Sequence, residues 1–504
     1  MLSPAKATFI KNFSSHLLWQ IVTVVSGFIL PPLIISHYGS TVNGFLASAK
    51  HFIFYLSIVE AGIGAASIAS LYKPLTDQNF LRRNQILGET RRLYRISGIL
   101  FILCLFMLAA VYSLITRNQL DNLPVFQIIL ILGLTNIADF FFIGTYRVLL
   151  VADQKTYAYS VIQSVSTITN IILAYWLITH NYDVLTAQYS LIAATVLRIA
   201  ATYGYIRYAY RKLSPASSVT NTTIRATPFI AQKKEAFIQQ ICLLVIYGTP
   251  MAYIVIFCNL KDASIYAIYY LVFAALKMLL QSLSNGTQAL FGRLLSEQNI
   301  QVVRYHYHRY ETLFINTTAA VFCCTAALLM PFISLYTRNM TDAEYYQPVF
   351  AFIFLFSTLA DCLRIPGEIM IQAAGHFKAT RNRYILEACL NVAVTGMFAY
   401  LFGLNGVVFA SFLIFFWRFI DINRYINHHI LKMSATLSQN KHLIVLTVGG
   451  LCGYGLYRYI IVQNINNYIS WAFFSLICMM LLMIIFYAIY FLLSRHNMRI
   501  SHFS

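Results

Sequence analysis

Apolar runs of about 20 residues recur along this chain from end to end, with barely a soluble interval between them. A run of that length spans the hydrocarbon of a bilayer as a helix, and a chain built from such runs has no soluble fold open to it. Charged residues make up 11% of the 504 residues and hydrophobic ones 59%, against roughly 25% charged in an ordinary soluble domain. The mean hydropathy of +0.66 agrees. A soluble enzyme, a disordered scaffold and a nucleic-acid-binding domain are excluded, and no nucleic-acid partner is expected.

The expected fold is an all-α polytopic membrane protein. Reading apolar runs between Gly, Pro and charge clusters places spans near 14–37, 43–72, 91–114, 124–151, 156–180 and 184–210. A second set lies near 236–257, 262–290, 312–336, 347–373, 379–402, 404–427, 441–461 and 469–494. That is fourteen helices, numbered here in chain order.

The net charge of +19 is first an orientation signal, because cytoplasmic loops collect Lys and Arg. With the N-terminus inside, the even-numbered loops and both tails hold 27 of the 36 basic residues. The opposite loops hold Arg117, Lys261, Arg338 and Arg458. Both termini are therefore expected in the cytoplasm. Lys6 and Lys11 lead into a long run with no small-residue cleavage site, so the first helix is expected to stay in the mature protein. The nine cysteines lie in or beside apolar segments without Cys-x-x-Cys spacing, and read as small core residues.

The two halves resemble each other. Ala138-Asp139 is followed by Ala152-Asp153-Gln154-Lys155, and Ala360-Asp361 by Ala374-Gly375-His376-Phe377-Lys378, with the aspartates 222 residues apart. Pro31 and Pro250 are 219 apart. A shared offset over six spans implies a parallel repeat of two six-helix lobes, as in several secondary transporters. The domain reading is an N-lobe at 1–210, a cytoplasmic linker at 211–235, a C-lobe at 236–430, and an appended helix pair with its tail at 431–504.

Eleven charged residues fall more than one turn inside the spans: Lys50, Glu60, Asp139, Arg198, Lys277, Asp361, Arg364, Glu368, Glu387, Arg418 and Asp421. Each costs roughly 2.5–3.5 kcal/mol at the centre of a lipid-facing helix, so they line a polar space or pair with one another. Asp361, Arg364 and Glu368 share one helix face, which fits a local ion-pair cluster as well as ligand binding. Arg418 with Asp421, and Glu387, read as helix contacts. Lys50, Arg198 and Lys277 have no acidic neighbour one turn away on their own helix, and are the candidate anion-binding residues with Arg364. Glu60, Asp139, Asp361 and Glu368 are candidates for ion or proton coupling, because a buried carboxylate changes protonation when its surroundings switch. Pro31, Pro32 and Pro250 delete helix hydrogen bonds and are candidate hinges. The run from Glu60 to Ala66 gives the second helix a small-residue surface for close packing.

No Walker sequence, nucleophile elbow or His-Glu-x-x-His occurs, so no catalytic residue, metal site or cofactor is expected.

The chain resembles the Wzx-type O-antigen flippases of the polysaccharide transport family, in the superfamily that also holds the MATE exporters and the peptidoglycan lipid flippase. The residues that carry the likeness are Pro31-Pro32-Leu33-Ile34-Ile35-Ser36-His37-Tyr38-Gly39, Val42-Asn43-Gly44 and Tyr55-Leu56-Ser57. It continues through Glu60-Ala61-Gly62-Ile63-Gly64 and Ser70-Leu71-Tyr72-Lys73-Pro74-Leu75 to the helix 4–5 hairpin. The resemblance implies a MATE-like fold with a cationic central cavity, in the bacterial inner membrane. The implied substrate is an undecaprenyl-pyrophosphate-linked oligosaccharide, whose phosphates would suit Lys50, Arg198 and Lys277. Membrane lipids, a polysaccharide polymerase and a chain-length regulator are the implied partners. A MATE-like exporter of cationic drugs and a membrane-embedded polysaccharide polymerase stand as alternatives; the short outside loop near 337–346 weighs against the polymerase.

Overall fold

The computed structural model describes residues 4–60, 63–120, 124–210, 230–284, 287–297, 299–433, 455–456 and 467–500, and these are helical almost throughout, with no strand among them. The helices are α1 (Pro4–Tyr38), α2 (Ser40–Leu56), α3 (Ile63–Thr76), α4 (Phe80–Ile115), α5 (Val125–Ala138), α6 (Gly144–Ala152), α7 (Thr156–Thr179) and α8 (Val184–Ala209). After them come α9 (Ile230–Phe257), α10 (Leu260–Leu283), α11 (Thr287–Ser296), α12 (Ile300–Tyr336), α13 (Pro348–Leu363), α14 (Ile365–Ala373), α15 (Phe377–Tyr425) and α16 (Tyr468–Ile500). A 3-10 turn (Ser57–Glu60) follows α2, and wide π turns (Asp139–Ile143 and Ile426–Ile430) follow α5 and α15.

Eleven stretches of the described residues are long and apolar enough to cross a membrane. One of them, Phe377–Ile430, reverses at Gly403, whose φ of 57° and ψ of −137° lie outside the helical region. Spans eleven and twelve are thus the two arms of that hairpin. The second span is interrupted rather than continuous, because the 3-10 turn separates α2 from α3. The thirteenth, near 441–461, and most of the linker 211–235 lie outside the described residues, as do Ala61 and Gly62 of the small-residue run.

Helix boundaries follow local chemistry. The Asn79 side chain accepts from Arg82 N at 2.9 Å and starts α4, and Asn299 does the same for Val302 N at 3.3 Å in α12. Pro348 opens α13, where its missing N–H costs nothing. At 37 residues, α12 is about 55 Å long, well beyond a hydrocarbon core of about 30 Å. His306 and His308 therefore sit on a helical extension and not in a loop.

Contacts divide the chain into two compact units. The first is Met1–Leu244 with Asn259–Ser264, the second Val245–Cys258 with Ile265–Ser504. In the first, α1 lies along α7, α7 against α8, α5 between α4 and α8, and α3 against α4 and α6. Asn12 fixes one end of α1, donating to Gln154 O at 2.8 Å and accepting from Tyr157 N at 2.9 Å; Tyr38 fixes the other by donating to Tyr182 O at 2.5 Å. On α4, Leu93, Ile96, Leu100, Leu103, Met107 and Leu114 form an exposed stripe, while Tyr94, Phe101, Leu105, Ala109 and Tyr112 are buried. An aliphatic outer face over an aromatic inner one is stable where lipid replaces water. In the second unit, α13 packs on α15 and α12, α12 on α16, and α11 on α14.

The helix through Pro31 and Pro32 is assigned without a break, and so is that through Pro250. The interruptions lie elsewhere, at Ser57–Glu60, at Asp139–Ile143, and at Arg364 between α13 and α14. Two of these obey the repeat: an offset of 222 carries 139–143 onto 361–365.

Gly44 marks the tightest approach in the first unit. A Cβ there would stand 1.7 Å from Leu260 O, while Asn43 Nδ2 donates to Ser264 Oγ at 2.7 Å alongside. Gly204, with nothing within 4 Å of its would-be Cβ, is the natural control. Gly44→Ala is expected to destabilise by about 1–3 kcal/mol, seen as a lower melting temperature in detergent. Gly204→Ala is expected to be neutral or to stabilise by up to about 1 kcal/mol.

Candidate functional site

The interrupted helices carry the charges. In the second unit, Arg364 stands at the junction of α13 and α14 and reaches three carboxylates: Glu387 Oε1 at 2.6 Å, Asp361 Oδ1 at 2.9 Å and Glu368 Oε1 at 3.4 Å. Its side chain is 1% exposed. Glu387, fully buried, bridges to Arg418, whose Nε is 3.0 Å away. Arg418 Nη1 donates to Asp421 Oδ2 at 2.6 Å, and Asp421 also pairs with Arg383. At the other end of the network Lys277 pairs with Asp361.

Tyr247 completes this network. Its hydroxyl donates to Asp361 Oδ1 at 2.9 Å and accepts from Lys277 Nζ at 2.9 Å and Arg364 Nη2 at 2.5 Å. One donor and two lone pairs are the whole capacity of a phenol, and all three are used. Aromatic faces cover the cations, with Phe415 4.9 Å from the Arg364 guanidinium and Tyr384 4.5 Å from that of Arg418. Four cations, Lys277, Arg364, Arg418 and Arg383, meet four carboxylates, Asp361, Glu368, Glu387 and Asp421. The network is formally neutral.

In the first unit, Arg198 Nη2 lies 3.4 Å from Asp139 Oδ1 and donates to Thr135 O at 2.9 Å, while Nη1 donates to Gln163 Oε1 at 3.2 Å. Arg147 pairs with Glu60, which also accepts from the Tyr94 hydroxyl at 2.9 Å. Lys50, on α2, is exposed. It has no ion pair or hydrogen bond among the described residues.

These contacts correct one expectation. Arg198 and Lys277, unmatched on their own helices, are matched across the packing by Asp139 and Asp361. The i, i+3 and i, i+4 cluster of Asp361, Arg364 and Glu368 exists, and extends to Glu387 on α15. Arg147 was hidden by its place near the end of span four, where it reads as a loop cation; Tyr94 and Tyr247 carry no charge and gave no signal.

The network is set for steep energetics. Removing one partner of a buried pair strands the other, at about 3–5 kcal/mol, so Arg364→Met is expected to lower the melting temperature sharply or to abolish accumulation in the membrane. Arg383→Ala is expected to cost no more than about 1 kcal/mol, because Arg383 is 36% exposed and Asp421 keeps Arg418.

No family model matches the chain, and no curated protein matches it in sequence. Solved structures do. The chain is similar to one described as the lipid II flippase MurJ in an inward closed conformation, with a TM-score of 0.69 and 12% identity over 96% of this chain and 98% of that one. It is also similar to an inward-facing multidrug resistance MATE family transporter of the MOP superfamily (TM-score 0.59, 14% identity, 84% of this chain and 98% of that one). An outward-facing MATE structure gives 0.50 and 11%, over 90% and 96%. At such identities the likeness shows the fold: this is a MATE- and MurJ-like multi-pass membrane protein. Residues 431–504 are too many to fall within the 4% that the flippase match leaves out, so that match reaches into the segment beyond α15.

Proposed function

We propose that the chain is a flippase that carries undecaprenyl-pyrophosphate-linked O-antigen or polysaccharide repeat units from the cytoplasmic to the periplasmic leaflet of the bacterial inner membrane. It does so by alternating access coupled to protons or another ion, with both termini in the cytoplasm. The fold it shares with a lipid flippase and with exporters supports transport as the activity. The observation that carries the substrate class is Lys50.

Of the five cations that lie more than one turn inside the spans, Arg198, Lys277, Arg364 and Arg418 each face a carboxylate, as does Arg147 nearer the end of its span. Lys50 alone has none among the described residues. It stands about 15 Å along α2 from Ser40, half the thickness of a hydrocarbon core. A lysine at that depth with no acidic partner among the described residues is costly against lipid and favourable against an anion, and the pyrophosphate of a lipid-linked sugar is such an anion. A lysine without an acidic partner also argues against a cationic drug as cargo. Arg198, Lys277 and Arg364 then act through the pairs they hold, with Asp139, Asp361 and Glu368 as the carboxylates whose protonation would shift with the state of the transporter.

In a strain lacking this gene, lipid-linked repeat units are expected to accumulate in the inner leaflet, and the gene alone should relieve the block. Lys50→Gln is expected to reduce export at least tenfold at normal protein level, and Lys50→Arg to retain most of it, as read from surface glycan. Full export by Lys50→Gln would overturn the assignment.

A further inference from the structure

The intramembrane ion pairs differ in how far their side chains are exposed. Arg364 and Arg418 are 1% exposed and Arg198 5%, whereas Arg147 and Glu60 are 29% and 23% exposed. A sealed pair cannot trade its partner for a solute without unpacking. An open one can.

The local structure builds this opening. Glu60 closes the 3-10 turn at which the second span breaks, so its carboxylate lies at an interruption and not inside a regular helix. Arg147 follows the wide turn Asp139–Ile143, whose extra residue rotates α6 by about 100° relative to a continuous helix. Tyr94 lies between them, donating to Glu60 Oε1 at 2.9 Å with Arg147 Nη2 3.5 Å from its oxygen. Two glycines make room for it: a Cβ on Gly144 would stand 2.8 Å from the Tyr94 ring, and one on Gly64 3.4 Å from its hydroxyl. Arg364 is held by three carboxylates; Arg147 is paired with one.

We infer that Glu60–Arg147 is an exchangeable pair: when Glu60 takes up a proton, Arg147 is released to bind a phosphate-class anion, making Arg147 a second anion-binding residue beside Lys50. The inference rests on the flippase reading for its substrate. The proton goes from the aqueous side onto the Glu60 carboxylate, which becomes a neutral acid. The guanidinium keeps its charge throughout and offers paired N–H groups to the phosphate oxygens. When the anion leaves, Glu60 gives up the proton and takes Arg147 back.

The elements packed around the pair carry other charged and titratable groups: Tyr94 and Arg91 on α4, Asp139 in the wide turn, Tyr159 on α7, Arg198 on α8, Lys50, His51 and Tyr55 on α2, and Tyr72 and Lys73 on α3. Asp139 and Arg198 neutralise each other. Glu60 is the carboxylate that Arg147 holds.

The test is binding of two probes, undecaprenyl pyrophosphate and inorganic pyrophosphate, to the full chain in nanodiscs across about pH 4–7.5, a range that includes ordinary carboxylate titration. Wild type is expected to bind more tightly as pH falls. Glu60→Gln should bind tightly at every pH, and Arg147→Gln should bind roughly tenfold or more weakly at every pH. Tyr94→Phe removes a hydroxyl that favours the carboxylate, and should move the wild-type pH dependence upward. Melting curves establish that each variant is folded. Binding of the lipid alone places the anion on a lipid headgroup, and competition by free pyrophosphate shows that phosphate suffices. A folded Glu60→Gln that keeps the wild-type pH dependence, or a folded Arg147→Gln that binds as wild type, overturns the exchange while leaving the flippase reading intact. Wild type that binds neither probe overturns both.

Discussion

Charge pairing across helices is the constraint on which the rest of this structure depends. Unpaired, the charges inside the spans would oppose insertion by several kcal/mol each. Paired, they tie together helices that lipid gives little reason to associate, since lipid tails are as apolar as leucine. Arg364 shows how this works: it takes Asp361 from the helix before it, Glu368 from the helix after it and Glu387 from a neighbour. The break at Arg364 and the ion pairs are parts of one arrangement.

Helix interruptions and intramembrane carboxylates coincide. Glu60 ends a 3-10 turn, Asp139 begins a π turn, and Asp361 lies one turn before the break at Arg364. Each interruption re-aims the helix beyond it, and each carboxylate meets a cation from another element. The prolines of α1 and α9 are carried within continuous helices.

The two units use this device to different ends. In the second, every carboxylate and cation of the network is matched and the guanidinia at its heart are sealed, which suits a rigid element. In the first, one pair is partly exposed and Lys50 is unmatched among the described residues. The two networks thus divide by exposure, the guanidinia Arg364 and Arg418 of one being 1% exposed and the Glu60–Arg147 pair of the other 23–29%.

Much of this was legible in the residues. Apolar run length gave the spans, down to the reversal between 402 and 404, where Gly403 sits. The 222-residue offset linked Asp139 to Asp361, and both proved to lie at helix breaks. What the linear order hid was partnership. Lys277 and Asp361 are 84 residues apart and in contact; Arg198 and Asp139 meet in the same way across three elements. Arg147 read as a loop cation because a net-charge tally cannot see which carboxylate lies opposite. The sequence by itself determined that this chain lives in a bilayer as a repeated helical fold with costly charges inside it, because hydropathy is a local property summed along the chain. Only the tertiary structure decided which of those charges cancel and which remain available, because ion pairing acts over a few ångströms in space regardless of separation in sequence.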